Sequence, residues 1–260
     1  MRVAVCLSGQ PRKAIETYPN IYENIIKPNN ADVFIHMHYD ASNPYIEKTH
    51  MDNGKCICDP DVDKTVIELY NPKRFLVEAP RNFQKPGFNI PEKRIDSVIN
   101  MNAHKKMSRD DAKNHFVKQM TSMFYSIYKS NELKELYANE NNIQYDYVIR
   151  IRFDLLPEQP LICSQLDPRF IHYIEMGQPD NLISDWLNVG SNAVMNIYAS
   201  MFLHMEYLSS FLYFNKDSRM PNTCEPSETC GGVSEHVLRD IMHLHKIPKR
   251  GLNYRARLLY

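Results

Sequence analysis

The densest concentration of reactive side chains is Tyr145-Asp146-Tyr147-Val148-Ile149-Arg150-Ile151-Arg152-Phe153-Asp154. Val148, Ile149 and Ile151 read as a strand covered on both faces. Arg150 and Arg152 are two residues apart and share one face. Asp154 follows, just before Leu155-Leu156-Pro157. Buried arginines are costly unless paired, which leaves two readings. Either they neutralise carboxylates elsewhere, or the carboxyl end of the strand opens on an anionic ligand, where open α/β sheets bind. In the second reading Asp154 can hold a divalent cation, Mn2+ or Mg2+, that bridges phosphate oxygens. In a competing account it only organises the arginines, which then hold phosphate directly.

Two further segments carry related chemistry. Cys6-Leu7-Ser8-Gly9-Gln10-Pro11-Arg12 ends a strand in a turn. There Gly9 lets backbone approach a ligand and Arg12 can grip a phosphate; a plain surface turn is the alternative. Neither G-x-G-x-x-G nor a Walker A motif is present, so a dinucleotide cofactor or a P-loop is not supported. The segment from Ser184 to Met195 holds the single tryptophan, Trp186, beside Asp185, and Gly190 interrupts a strand-like run. Asp185 can act as a base or accept from a sugar hydroxyl, and Trp186 can form a stacking wall. A strand glycine marks close approach of ligand or backbone. A core tryptophan with a capping aspartate is the plainer alternative.

Elements that position these residues alternate in type. Strands are expected at residues 2–7, 31–38, 74–78, 145–151, 170–174 and 187–194. Helices are expected after residue 12, with Pro19 in the first turn and Ile21, Ile25 and Ile26 inward, and at 62–70, 195–214 and 233–245. The longest helix opens on Ser108 as N-cap and carries Met120, Met123, Phe124, Ile127 and Tyr128 at helical spacing, with a break near Asn131. Residues 39–61, 79–107 and 215–231 read as loops, and 247–260 as an edge strand. This order predicts an α/β fold with a mainly parallel central sheet.

Composition bounds the rest. In 260 residues, 31 Lys and Arg balance 31 Asp and Glu, and 43% of residues are hydrophobic. Zero net charge argues against bulk phosphate neutralisation, so no nucleic acid partner is expected. No stretch approaches the roughly 20 apolar residues of a membrane span. The N-terminal apolar run, Val3 to Leu7, is five residues, shorter than the roughly 7–15 of a signal peptide. A cytoplasmic location is expected. Six cysteines are too sparse for a disulfide framework. Cys6 and Cys163 read as buried small hydrophobes, while Cys56, Cys58, Cys224 and Cys230 offer a four-thiolate zinc site of unusual spacing. His36 and His38 alternate on the second strand.

Taken in order, the segments resemble a family of GT-A type glycosyltransferases of bacteria and large DNA viruses. The matching residues are Ser8-Gly9-Gln10-Pro11-Arg12, Ala31-Asp32-Val33-Phe34-Ile35-His36, Tyr145 to Asp154, Asp185 to Met195, and Glu235 to Leu238. The resemblance covers most of the chain, apart from residues 39–61 and 79–107. It implies a single GT-A domain, with residues 1–154 as the nucleotide-binding half and 155–260 as the acceptor-side half. It also implies a nucleoside-diphosphate sugar as donor and a glycan or glycoprotein acceptor. Ser8, Gly9, Arg12, Arg150, Arg152, Trp186 and Gly190 would bind the donor. Asp154 takes the place of the last acid of a D-x-D motif, with Arg152 standing where the first acid would be. A late histidine, His243 or His245, would complete a Mn2+ or Mg2+ shell, and Asp185 or Glu235 would serve as base in an inverting reaction. A catalytically silent sugar- or nucleotide-binding module of the same fold is the alternative.

Overall fold

A computed structural model describes residues 1–47, 55–83, 108–175, 183–205 and 233–259. Seven strands form one sheet: β1 (Val3–Gly9), β2 (Asp32–His38), β5 (Arg74–Glu78), β6 (Tyr147–Ile151), β8 (Ile171–Ile174), β9 (Leu187–Ser191) and β10 (Lys249–Leu252). Their spatial order is β10-β8-β9-β6-β1-β2-β5. All neighbours run parallel except β9, which is antiparallel to both β6 and β8. The molecule is therefore a mixed α/β protein with a mostly parallel, Rossmann-like central sheet. Two small pairs stand apart, β3 (Tyr45–Glu47) with β4 (Lys55–Ile57) and β7 (Leu155–Pro157) with β11 (Ala256–Leu258).

The longer helices among the described residues are α1 (Ala14–Ile21), α2 (Val62–Tyr70), α3 (Arg109–Asn141), α4 (Asn192–Ala199) and α5 (Val233–Leu244). Each sheet face covers its own core. Ala4, Cys6, Phe34 and Val148 pack with α3, α4 and α5 through Phe124, Ile127, Tyr198 and Leu238. Val3, Val5, Leu7, Ile35 and Ile149 pack on the other face with Ile21, Ile25 and Val66. This is the period-two alternation of a strand buried on both sides.

Several local expectations change. The helix of residues 109–141 runs unbroken through Asn131, whose side chain donates to Asn196 Oδ1 at 3.0 Å. That tie to α4 offsets the small helix penalty of an asparagine. Pro19 lies inside α1 rather than in its first turn, and a π-helical stretch, Tyr22–Ile26, follows the N–H it removes. The expected loop at 39–61 contains the β3–β4 hairpin. Strand β9 stops at Ser191 because that hydroxyl accepts from Val194 N at 3.4 Å and caps α4, so the helix begins at Asn192 instead of 195. Ser200 forms a turn and residues 201–205 are helical again; the rest of the expected 195–214 helix lies outside the described residues. So do most of the 79–107 loop, the 215–231 loop, and Cys224 and Cys230.

Candidate active site

Strand order reverses between β1 and β6, so their carboxyl ends frame the sheet's topological switch point. The sequence brings charge to that place from three directions. Strand β1 ends at Gly9, whose φ of +124° excludes ordinary side chains without strain, and the turn delivers Arg12. Strand β6 delivers Arg150, Arg152 and Asp154. Strand β9 runs the other way, so the residues just before it, Asp185 and Trp186, arrive at the same edge.

Asp154 is the hub. It is 2% exposed, and both carboxylate oxygens are engaged. Arg152 grips it as a fork, Nε to Oδ1 and Nη2 to Oδ2, both at 2.8 Å. Arg12 Nη1 donates to Oδ2 at 2.7 Å. Burial alone would raise the carboxyl pKa, but the Arg152 charge and hydrogen bonds and the Arg12 guanidinium outweigh it. The group is held well below the usual carboxylate range. Arg152 Nη1 also lies 3.8 Å from Asp185 Oδ2. The Arg12 and Arg152 side chains stay 25% and 19% exposed, so a solute can reach them.

Beside this hub a buried polar row crosses the face that carries α3 and α4. Arg150 is 3% exposed, and its Nε donates to Ser8 Oγ at 3.2 Å. Among the described residues its Nη1 is buried with no hydrogen-bond partner, an uncompensated donor of a permanent cation. Asn188 is the register partner of Arg150 and accepts from the Tyr198 hydroxyl at 2.7 Å. Burial pushes the Tyr198 phenol up; Arg150 lowers it and Asp185 raises it, so both charges lie near that ring. Neither Asn188 nor Tyr198 is an evident site residue in the sequence. Asn188 gives the stronger signal, as a polar residue between Leu187 and Val189 in a strand.

The remaining candidates divide. Trp186 is half-buried against the core, and its carbonyl accepts from the Arg152 N–H at 3.3 Å, so its backbone fixes the β6 end. Gly190 is remote from the donor side. It pairs with Val148, near the amino end of β6. A Cβ there would come within 2.9 Å of Val194 Cγ1 and 3.2 Å of the Phe170 carbonyl oxygen. The glycine therefore answers to strand–helix packing and not to a ligand. Glu235 and His243 stand in the first and last turns of α5. They are separated by about 12 Å at 1.5 Å rise per residue. Leu238, Ile241 and Met242 form the buried stripe. Glu235 precedes Leu238 by three and borders that stripe, whereas His243 and His245 are exposed.

A divalent ion at Asp154 does not fit this donor set. Its two oxygens already accept three guanidinium hydrogen bonds, and an added cation would meet two permanent positive charges. Exposed His243 joins no group of potential ligands with it, and among the described residues the one cluster of three or more is His36, His38 and Glu78. The competing account, in which Asp154 organises arginines, matches the geometry. No helix among the described residues is long and apolar enough to cross a membrane. A cavity of about 660 Å3 lies at the opposite, amino edge of β1 and β2. Two of its charged groups, Asp32 and Lys73, are committed to partners there. Asp32 accepts from the Tyr145 hydroxyl at 2.8 Å and lies 3.6 Å from Lys73.

Comparison with known proteins gives little to set beside this geometry. No protein-family model matches the chain, and no curated protein does. Among solved structures, a glycosyltransferase involved in glycosylation of the major capsid of PBCV-1 aligns over 97% of this chain and 81% of that one. The two are 9% identical with a TM-score of 0.34, a likeness too slight to carry an argument about activity.

Proposed function

We propose that this protein is a glycosyltransferase that moves a sugar from a nucleoside-diphosphate sugar to an acceptor hydroxyl. The observation that carries the reading is the arginine cluster organised by a buried aspartate at the switch point of a mostly parallel sheet. A single buried carboxylate sets two guanidinium groups in fixed orientation where such sheets bind ligands. Guanidinium groups suit diphosphate oxygens because their planar forks donate two parallel hydrogen bonds. Departure of the nucleoside diphosphate builds negative charge on those oxygens, and preorganised cations stabilise it without reorganising.

In this reading Arg12 and Arg152 hold the phosphates, and the unpartnered Nη1 of Arg150 is the reserve donor. Asp185 lies at the same edge, 3.8 Å from Arg152. It is proposed to take the proton of the acceptor hydroxyl. Trp186 is proposed as a wall of the donor site, and Glu235 as the alternative base. Purified protein incubated with UDP- and GDP-sugars is expected to release nucleoside diphosphate. Arg152→Ala and Arg12→Ala are expected to weaken binding of that product. A protein that binds neither the donors nor the diphosphates overturns the reading.

A further inference from the structure

A second cluster lies on the same carboxyl edge, two strands along. His36 and His38 alternate near the end of β2, and Glu78 closes β5 opposite His38. Each of the three offers a ligand atom within 4.8 Å of the other two. The two imidazoles are 0% and 2% exposed, and Glu78 is 18% exposed at its side chain, which leaves an approach from solvent. Nothing in the donor reading uses these residues.

Hydrogen bonds around the rings assign their lone pairs. His38 Nε2 lies 3.3 Å from the Ser122 carbonyl oxygen, which can only accept. The proton is therefore on Nε2 and the lone pair on Nδ1. Among the described residues that Nδ1 is buried and has no hydrogen-bond partner. His36 Nε2 lies 2.9 Å from Glu78 Oε1, and its Nδ1 lies 2.7 Å from Ser126 Oγ. Ser126 Oγ is also 3.4 Å from the His36 carbonyl oxygen. When the serine donates to that carbonyl, it accepts from Nδ1–H, and the Nε2 lone pair faces the carboxylate. Such an outer-shell partner fixes the tautomer of a metal-binding histidine. The ring planes meet at 89°, with centroids 4.8 Å apart, so the two imidazoles approach from different directions. Arg81 occupies the other carboxylate oxygen, Oε2, through Nε at 3.1 Å and Nη2 at 2.8 Å.

We propose that His36 Nε2, His38 Nδ1 and Glu78 Oε1 bind one divalent transition ion, zinc in the first instance. Imidazole donors select Zn2+ over Mg2+. Two histidines and one glutamate are a three-ligand set that leaves a fourth position for water or another ligand. Binding requires no net proton release. The His36 proton moves from Nε2 to Nδ1 as the Ser126 hydroxyl turns to the carbonyl. The positive groups facing the site are Arg81 and Lys129; Arg81 lies 4.6 Å and Lys129 5.9 Å from the centre of the Tyr125 ring. Both oppose a cation. Solvent screens Arg81, which is 52% exposed, and Lys129 is already paired with Glu132 at 2.6 Å.

The test needs no sugar donor, so its failure is separate from failure of the transferase reading. Full-length protein freed of metal with EDTA is titrated with Co2+ and then competed with Zn2+. One equivalent of cobalt is expected, with visible ligand-field absorption and no thiolate charge-transfer band. Zinc is expected to displace it. Glu78→Gln and His38→Gln are each expected to weaken uptake by about tenfold or more, with retained fold checked by circular dichroism. If a variant does not fold, the wild-type spectrum and stoichiometry decide. Absence of stoichiometric uptake, a thiolate band, or unchanged affinity in the folded variants overturns the proposal.

Discussion

Two neighbouring sites on the sheet's carboxyl edge, one at each end of the short run from β6 to β5, solve opposite problems. At β1 and β6 a buried acid is saturated by two guanidinium groups, and the capacity left over is an N–H donor, Nη1 of the neighbouring Arg150. At β2 and β5 two buried imidazoles meet one carboxylate, and the capacity left over is a lone pair. The first end suits an anion and repels a cation. The second suits a cation through nitrogen donors. The aspartate at the strand end, which by position invites a metal, is the residue least able to take one. The contrast also explains why charge balance over the whole chain is uninformative, since each end is decided by partners within a few ångströms.

The largest expected effect breaks the anion-binding site. Asp154→Ala leaves Arg152 and Arg12 without their buried counter-charge and is expected to cost about 3–5 kcal/mol in urea unfolding. The matching change at the other site, Glu78→Gln, keeps an amide oxygen to accept from the buried His36 Nε2–H and removes the charge that faces a half-exposed Arg81. It is expected to cost within about 1 kcal/mol. Equal losses would erase the distinction between a saturated hub and an open cluster.

Ligand affinity comes next. Arg152→Ala is expected to weaken nucleoside diphosphate binding by about 1.5–3 kcal/mol, the worth of a charge-assisted contact. His38→Gln is expected to leave it unchanged. Isothermal titration of both variants reads the difference. A smaller effect of another kind is expected at Gly190→Ala. Its new methyl would crowd Val194 and the Phe170 carbonyl, at a cost of about 1–3 kcal/mol in stability, with diphosphate affinity preserved. Reduced affinity in that variant would return Gly190 to the donor side.

Acid sharpens the same contrast. Asp154 has a depressed folded-state pKa, so its stabilisation is complete above the unfolded carboxylate value of about 4. It is lost only as pH falls from there toward the lower folded value. The stability difference between wild type and Asp154→Asn is therefore expected to be flat from neutral pH to about 5 and to shrink below about 4. A difference that shrinks already near pH 6 would mean that histidines, not Asp154, carry it.

Much of this was legible in the residues. Apolar runs marked β1 and β2, a run apolar on both faces marked β6, and the two-residue spacing of Arg150 and Arg152 with Asp154 behind them marked the site. What periodicity could not supply was pairing. That Asp154 spends both oxygens on Arg152 and Arg12 depends on a contact across 142 residues of sequence. Glu78 meets His36 only because β5 pairs with β2 in one register. Gly190 was misleading because a glycine admits a helix side chain as readily as a ligand. The late helix offered Glu235 and His243 together, and only its buried stripe separates the side chain beside the core from the one in solvent.

The central claim is that the arginine cluster, not a cation on Asp154, holds the diphosphate. Calorimetric titration of UDP and GDP into wild-type protein, in EDTA and again in manganese, tests it most directly. The account predicts binding in EDTA with affinity changed less than about threefold by manganese (under ~1 kcal/mol), and loss of that binding in Arg152→Ala. Binding that vanishes in EDTA, returns with manganese and is abolished by Asp154→Asn in a folded protein would contradict it.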